Sequence, residues 1–341
     1  MSHRPLVGVI ANPASGKDIR RLVAVGSSID NTEKIAIVRR VFAGLAAVGI
    51  GAVAYMPDTF GIVSRAVAAA PTPFPAEPLP MVCLGVPGDT EEAARRLADM
   101  GAAAIVTLGG DGTNRMVARG CGDVPLVPIS TGTNNVFPRF VEGTLAGMAA
   151  GAVASGVVHN TPETPLVVRQ QPRLVVSVNG EPRDMALIDA VTTRQGWIGA
   201  RAVWKPEHLR EVVLSCILPA EIGMASLGGL LFPGACGGPA GAAIVVDQSS
   251  GRRIHAPLAP GLLPEVGIAS ARLLGPGETI ALQPGPCTIA LDGEREIEIL
   301  DSGRSISVAL DPQGPRVVEI AEAIRQAAAA GAFAVPDKIP G

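Results

Sequence analysis

One stretch constrains this chain more than any other, residues 103 to 115, Ala-Ala-Ile-Val-Thr-Leu-Gly-Gly-Asp-Gly-Thr-Asn-Arg. A short apolar run of strand character, Ala103 to Leu108, stops at two glycines. Asp111, Gly112 and Thr113 follow, and helical spacing resumes from Asn114 to Arg119. Glycines where a strand hands over to a helix permit positive φ and let a ligand approach the backbone closely. The unpaired N–H groups of the helix that follows favour a phosphate at the same opening. A carboxylate there would repel that phosphate. Asp111 therefore points to a divalent cation lying between the two, or to a base that takes a proton from a hydroxyl attacking the phosphate. A tight turn with a solvated Asp is the plainer reading of the same residues.

Two further strand-end loops have the same character. Leu6 to Ala11 reads as a buried parallel strand and runs into Asn12-Pro13-Ala14-Ser15-Gly16-Lys17-Asp18. A Walker A loop would need glycine at Ala11 and Ser or Thr at Asp18, so this is not one. A phosphate turn of another kind would use Ser15 and nearby N–H groups as donors, with Lys17 supplying charge. Pro125 to Ser130 is a further strand, leading into Thr131-Gly132-Thr133-Asn134-Asn135, dense in hydroxyls and amides. Three such loops at strand C-termini converge on one edge of an open parallel sheet, where α/β proteins bind ligands. Gly49-Ile50-Gly51-Ala52-Val53-Ala54 spells a dinucleotide fingerprint, but it follows a helix and enters a strand, the reverse of the required order.

At 341 residues the chain is long for a single core, so two domains are expected. Asp30-x-x-Glu33 resembles a capping box that opens a helix through about Val48. Pro71 to Pro80 reads as a surface loop and Met81 to Val86 as a strand. Thr90 is then the cap of a helix, Glu91 to Met100, that ends at Gly101. From about residue 160, short strand-like runs alternate with Gly, Pro, Asn and Asp turns, which predicts an antiparallel sandwich. Asn179-Gly180 is a hairpin signal. Val317 to Ala330 returns to helical spacing. The expected division is an α/β domain over 1–135, joined by a returning helix over about 312–335, and a β-sandwich over 136–311. The small-residue helix Gly143 to Gly156 suits either half.

Net charge is −3, aromatic residues are 3% of the chain and no Lys/Arg block occurs, which argues against nucleic acid or anionic membrane as a partner. The uncharged stretch Ile222 to Val246 holds seven glycines and two prolines, so strands and loops suit it better than a lipid-facing helix. Five scattered cysteines read as reduced thiols of a cytoplasmic protein, and four scattered histidines suggest neither a zinc site nor a Ser/His pair.

These residues resemble the superfamily that joins NAD kinases with diacylglycerol and sphingosine kinases. Gly109-Gly110-Asp111-Gly112-Thr113 reproduces its signature. Asn12-Pro13-Ala14-Ser15-Gly16 and Gly132-Thr133-Asn134-Asn135 look like loops of the lipid-kinase branch, except that Val136 stands where an acid is expected. Asp292-Gly293-Glu294 is similar to that branch's Asp-Gly-Glu, although Asp-Gly is also a common hairpin spelling. Ile188 and Asp189 occupy the place of the Asn-Glu pair with which NAD kinases grip the dinucleotide. The overall pattern looks closest to the NAD kinase-like branch of acetoin catabolism protein X. The resemblance implies an N-terminal α/β domain, a C-terminal β-sandwich and an ATP site in the cleft between them.

On that basis the expected phosphate cradle comprises Asn12, Ser15, Gly16, Lys17, Gly109, Gly110, Gly112, Thr113, Thr131, Gly132, Thr133, Asn134 and Asn135. Asp111 is the base or the anchor for Mg²⁺, and Glu294 competes for the base role. Asp189 and Asp292 are expected beside the acceptor, with Trp197 and Trp204 either walling its pocket or packing in a core. The function implied is ATP-dependent phosphorylation of a hydroxyl on a soluble metabolite, with NAD the leading acceptor. A lipid kinase and a non-catalytic nucleotide sensor are the alternatives. A homo-oligomer is expected from the resemblance alone.

Overall fold

Six apolar and small residues form strand β1 (Leu6–Ala11), buried almost throughout, as a central parallel strand must be. The computed structural model describes residues 5–16, 29–132, 134–193, 205–218 and 220–334, with the side chains of 295 and 296 set aside. On one side of β1 lie β2 (Ala52–Tyr55) and the edge strand β3 (Ala76–Pro78). On the other lie β4 (Ala104–Gly109) and β5 (Leu126–Ser130), all parallel. The sheet is completed from far down the chain. β18 (Arg316–Val318) joins β5 in parallel, and β6 (Val168–Gln170) pairs antiparallel with β18, giving the order β3-β2-β1-β4-β5-β18-β6.

Helices cover both faces. α1 (Asn31–Val48), α2 (Ile62–Ala69), α5 (Gly143–Ala154) and α7 (Ile320–Ala329) close over Val7, Val9, Val106, Leu108 and Val127. α3 (Pro87–Asp99) and α4 (Asp111–Gly120) cover Ile10, Ile105 and Leu126 on the opposite face. α1 begins as expected. The Asp30 carboxylate accepts the Glu33 N–H at 2.7 Å, and Gly49 ends the helix at φ +76°. α5 lies backbone to backbone on α1, because a Cβ at Gly147 would sit 2.1 Å from the Val41 oxygen and one at Gly44 2.2 Å from the Thr144 oxygen. With α5 and β6 part of the first layer, the division expected at residue 135 falls nearer 171.

Three local expectations are corrected. No strand forms over Met81–Val86, and Val82 and Leu84 are 80% and 75% exposed. The edge place is taken instead by Ala76–Pro78, where proline is tolerated because one side of the strand needs no donor. α3 starts at Pro87 after the cap residue Val86, and Asp89 in its first turn reaches back to accept the N–H groups of Gly85 and Val86, so Thr90 lies inside the helix rather than capping it. The final helix begins at Ile320, since Arg316–Val318 is drawn into the sheet.

The second half is antiparallel. A seven-stranded sheet runs β12-β13-β11-β10-β9-β15-β16, and a four-stranded sheet runs β14-β17-β7-β8. The first comprises β9 (Asp189–Thr193), β10 (Leu209–Leu214), β11 (Gly241–Val246), β12 (Arg253–His255), β13 (Glu265–Leu274), β15 (Cys287–Leu291) and β16 (Glu294–Ile299). The second comprises β7 (Arg173–Val178), β8 (Glu181–Ala186), β14 (Thr279–Leu282) and β17 (Ile306–Asp311). Leu174, Val176, Val308 and Leu310 pack against Val213, Ile289 and Leu291 between the sheets. The outer face of the larger sheet is covered by α6 (Ala225–Leu231) and its flanking loops. Ile222–Val246 thus yields a short helix and a strand. Among the described residues no helix is long and apolar enough to cross a membrane. The Asn179-Gly180 hairpin forms, with φ +53° and +81°.

Candidate active site

The three strand-end turns meet. Asn12 follows β1, and its Nδ2 donates to Thr113 Oγ1 at 2.9 Å, while its Oδ1 accepts the Ala14 N–H at 2.8 Å. Ser15 Oγ donates to the Asn12 carbonyl at 2.8 Å and accepts from Thr131 Oγ1 at 3.1 Å. Gly109 and Gly110 are required by close approach. A Cβ at Gly109 would lie 2.5 Å from Thr113 Cβ, and one at Gly110 2.7 Å from Asn135 Oδ1. Asn135 Nδ2 donates to Ser130 Oγ at 2.9 Å and to the Gly132 carbonyl at 3.2 Å, closing the third turn on itself. Asn134 Oδ1 is buried with no hydrogen-bond partner among the described residues. Lys17 and Thr133, like Trp197 and Trp204, lie outside the described residues.

Lys34 was not foreseen. It lies on α1, one turn in, and is fully buried. Its ammonium donates to the carbonyls of Asn12 (2.9 Å) and Ser15 (2.8 Å) and to Asn31 Oδ1 (3.1 Å), so it holds the 12–16 turn from behind. Because peptide units are planar and trans, the Gly16 N–H points away from the Ser15 carbonyl and therefore away from Lys34. A lysine inside a helix is usually a solvated one. Only its place on the buried face, between Ile37, Val38 and the capping Asp30, could have flagged it.

Asp111 is the first residue of α4. Both of its carboxylate oxygens lie 3.1 Å from the Val136 N–H nitrogen, and one is 2.8 Å from that of Phe137. The carboxylate thus ties the third turn to the second. Facing it across the domain seam, Glu294 Oε1 comes within 3.1 Å of the point a Cβ on Gly112 would occupy. Glu294 therefore reaches the residue next to Asp111, whose own carboxylate is held by the Val136 and Phe137 amides.

Asp292 sits at the tip of the β15–β16 hairpin, at φ +51°, followed by Gly293 at +80°. Its carboxylate is turned inward. It accepts the N–H groups of Leu187 (3.0 Å), Ile188 (2.7 Å) and Asp189 (3.3 Å). Burial pushes its carboxyl above the usual carboxylate range, opposed by the Arg115 guanidinium and the three amide donors. Asp292 therefore anchors the entry to β9 rather than presenting an open face to an acceptor, and Asp189 is buried beside it. Arg115 and Asp184 also went unforeseen, because their link spans 69 residues. Arg115 Nη1 donates to Asp184 Oδ2 at 3.0 Å. Val136 and Ile188, the two departures from the superfamily pattern, join Met185, Leu187 and Ala225 in one apolar cluster at the seam.

A doubly wound sheet with a glycine-rich turn after its fourth strand, a returning C-terminal strand and an antiparallel second half defines the NAD kinase-like class of fold. Residues 7–157 match the model of the ATP-NAD kinase N-terminal domain, and residues 172–313 that of the acetoin catabolism protein X C-terminal domain. Over 334 residues the chain is 38% identical to Acetoin catabolism protein X of Cupriavidus necator, covering 95% of this chain and 92% of that one. The chain belongs to the acetoin catabolism protein X family. Two structures of a candidate diacylglycerol kinase from Bacillus anthracis align over 93% of the chain and 98–99% of theirs. Their TM-score is 0.40 and their identity 15%, too remote to inform the chemistry.

Proposed function

We propose that the protein is an ATP-dependent kinase that phosphorylates a hydroxyl of a soluble metabolite, with NAD the leading acceptor. The observation that carries this is the meeting of the 12–16, 109–113 and 131–135 turns, with Glu294 at their open corner. Phosphoryl transfer asks a protein mainly for a phosphate cradle, charge neutralisation and a positioned nucleophile. The cradle is the backbone of Gly109, Gly110, Gly112 and Thr113 with Ser15, Gly16 and the third turn, at the N-terminus of α4. Glu294 takes the proton as the acceptor oxygen bonds to the γ-phosphorus and the bond to the bridging oxygen breaks, releasing ADP.

Among the described residues no three His, Cys, Asp or Glu side chains gather to hold a metal. Magnesium carried by a nucleotide needs only one or two carboxylates beside the phosphates, and Asp111, at the start of α4, would supply one. When bound it neutralises charge on the phosphates. Asp111 is its anchor in this reading, since the carboxylate already holds the loop that closes the cradle.

A nucleotide-binding protein without turnover is the second reading. It is favoured by the buried, apolar Val136 and Ile188 at the seam. One assay separates the two. The purified chain is incubated with ATP and Mg²⁺ and a panel of NAD, NADH, acetoin-type diols, sphingoid bases and diacylglycerol, and products are read by mass spectrometry. Phosphorylated NAD supports the proposal, and a phospholipid product replaces it with a lipid kinase. ATP uptake by calorimetry with no transfer, unaltered by Asp111→Asn, establishes the sensor. Light scattering on the same sample tests the proposed homo-oligomer.

A further inference from the structure

Arg115 has no part in the chemistry above, yet its side chain is only 2% exposed, at the seam between the halves. It belongs to α4, whereas Asp184 and Asp292, two acidic residues beside it, belong to the sandwich. Nη1 is 3.0 Å from Asp184 Oδ2 on β8, and Nε is 3.8 Å from Asp292 Oδ2. Asp292 is itself fastened twice to the entry of β9. Its carboxylate accepts the N–H groups of residues 187–189, and its own N–H donates to the Asp189 carbonyl at 3.0 Å. Glu294 stands two residues further on, at the first position of β16.

On α4, Gly112 and Arg115 are three residues apart and share a face. Gly112 meets Glu294, and Arg115 meets Asp292. One turn of the helix that carries the phosphate cradle therefore touches the 292–294 turn in two places. We propose that Arg115 is a positioning residue for Glu294, fixing the 292–294 turn against the Gly109–Thr113 cradle by gripping Asp292 and Asp184 across the seam. The consequence for turnover rests on the kinase reading, but the grip itself does not. Without the guanidinium the buried Asp292 carboxylate loses its counter-charge, and its hold on the 187–189 amides weakens. A shift of about 1 Å at a reacting group is enough to cost about 10²-fold in rate. Arg119 offers an internal control. It reaches the same Asp184 at 3.0 Å and pairs with Glu91 at 2.9 Å from a more exposed position.

The test compares Arg115→Met, Arg115→Lys and Arg119→Ala in the full chain. ATP affinity is read by calorimetry, amide hydrogen exchange at 187–189 and 292–294 by mass spectrometry, and steady-state rates with whichever acceptor the panel identifies. Arg115→Met is expected to leave ATP affinity unchanged and to lower kcat at least about tenfold. It should also speed exchange at both segments, with Arg115→Lys intermediate and Arg119→Ala like the parent. Unchanged exchange in Arg115→Met overturns the proposal. So does a loss of ATP affinity that matches the loss of rate. Should Arg115→Met not fold, Arg115→Lys carries the same comparison. If the parent chain phosphorylates nothing on the panel, the kinase reading fails alone, and the exchange data still decide whether Arg115 holds the turn.

Discussion

Asp111 and Asp292 stand on opposite halves of the molecule and make the same local construction. Each is an aspartate next to a glycine at a tight turn, and each uses its carboxylate to collect backbone N–H groups from a remote loop. Asp111 holds Val136 and Phe137, while Asp292 holds Leu187, Ile188 and Asp189. The two captured loops then pack against each other through Val136 and Ile188. The difference lies in the surroundings. Asp292 is enclosed with a guanidinium beside it, whereas Asp111 lies at the cradle, one residue from the corner that Glu294 reaches. The same carboxylate–amide motif can fasten two domains in one place and serve a reaction in another, and only its neighbours tell which.

The comparison can be broken most forcefully at the cradle. Glu294→Gln should lower turnover by about 10²–10⁴-fold, the range for a positioned acid–base group, and Asp111→Asn should lower it while raising the Mg²⁺ concentration needed for half-maximal rate, both measured as kcat with the identified acceptor. A smaller loss in Glu294→Gln, or an unchanged Mg²⁺ requirement in Asp111→Asn, removes the assigned role. Next comes Asp292→Asn, which should act on stability first, because one partner of a buried charge pair is lost. A destabilisation of about 3–5 kcal/mol is expected in urea unfolding, against about 1.5–3 kcal/mol for Asp111→Asn. Equal losses would erase the distinction between the two aspartates.

Gly112→Ala sharpens the contrast at the shared corner. Alanine is worth about 0.5–1 kcal/mol to a helix, but its Cβ would press on Glu294. The variant should therefore melt no earlier than the parent while turning over about tenfold more slowly. The last effect lies away from the site and is confined to alkaline pH. Burial pushes the Cys121 and Cys216 thiols up to about 11 from 9.0, so the folded chain keeps protons that the unfolded chain releases. Their contribution is fully present below pH 9. It drains away between pH 9 and 11 at about 1.4 kcal/mol per unit per thiol, seen as a falling denaturant midpoint.

What could be read from the residues alone was what is local. The Asp30 cap, the Gly49 stop, the Asn179-Gly180 and Asp292-Gly293 hairpins and the glycines at 109–112 each announce themselves within a few positions. The short strand-like runs punctuated by turns after residue 160 and the apolar run of β1 did the same for the two fold classes. Lys34, Arg115 and Asp184 stayed hidden because a buried charge is spelled like a solvated one until its partner arrives from elsewhere in the chain. The strand misplaced at 81–86 shows the converse. Its apolar residues suit a sheet whose edge Ala76–Pro78 had already taken.

Strand β18 carries a consequence for the order of events when the chain is made. The open side of β5 is bridged by Arg139 at Ile129, but its Leu126 end finds a neighbour only when residues 316–318 emerge, after the entire second half has been synthesised. Until then a nascent chain presents an unpaired, apolar strand edge, the feature that invites aggregation and chaperone capture. Residues 316–329, a strand and a helix, thus act as a closing seal on the five parallel strands, and a message truncated before them would leave the ribosome's product open at that seam.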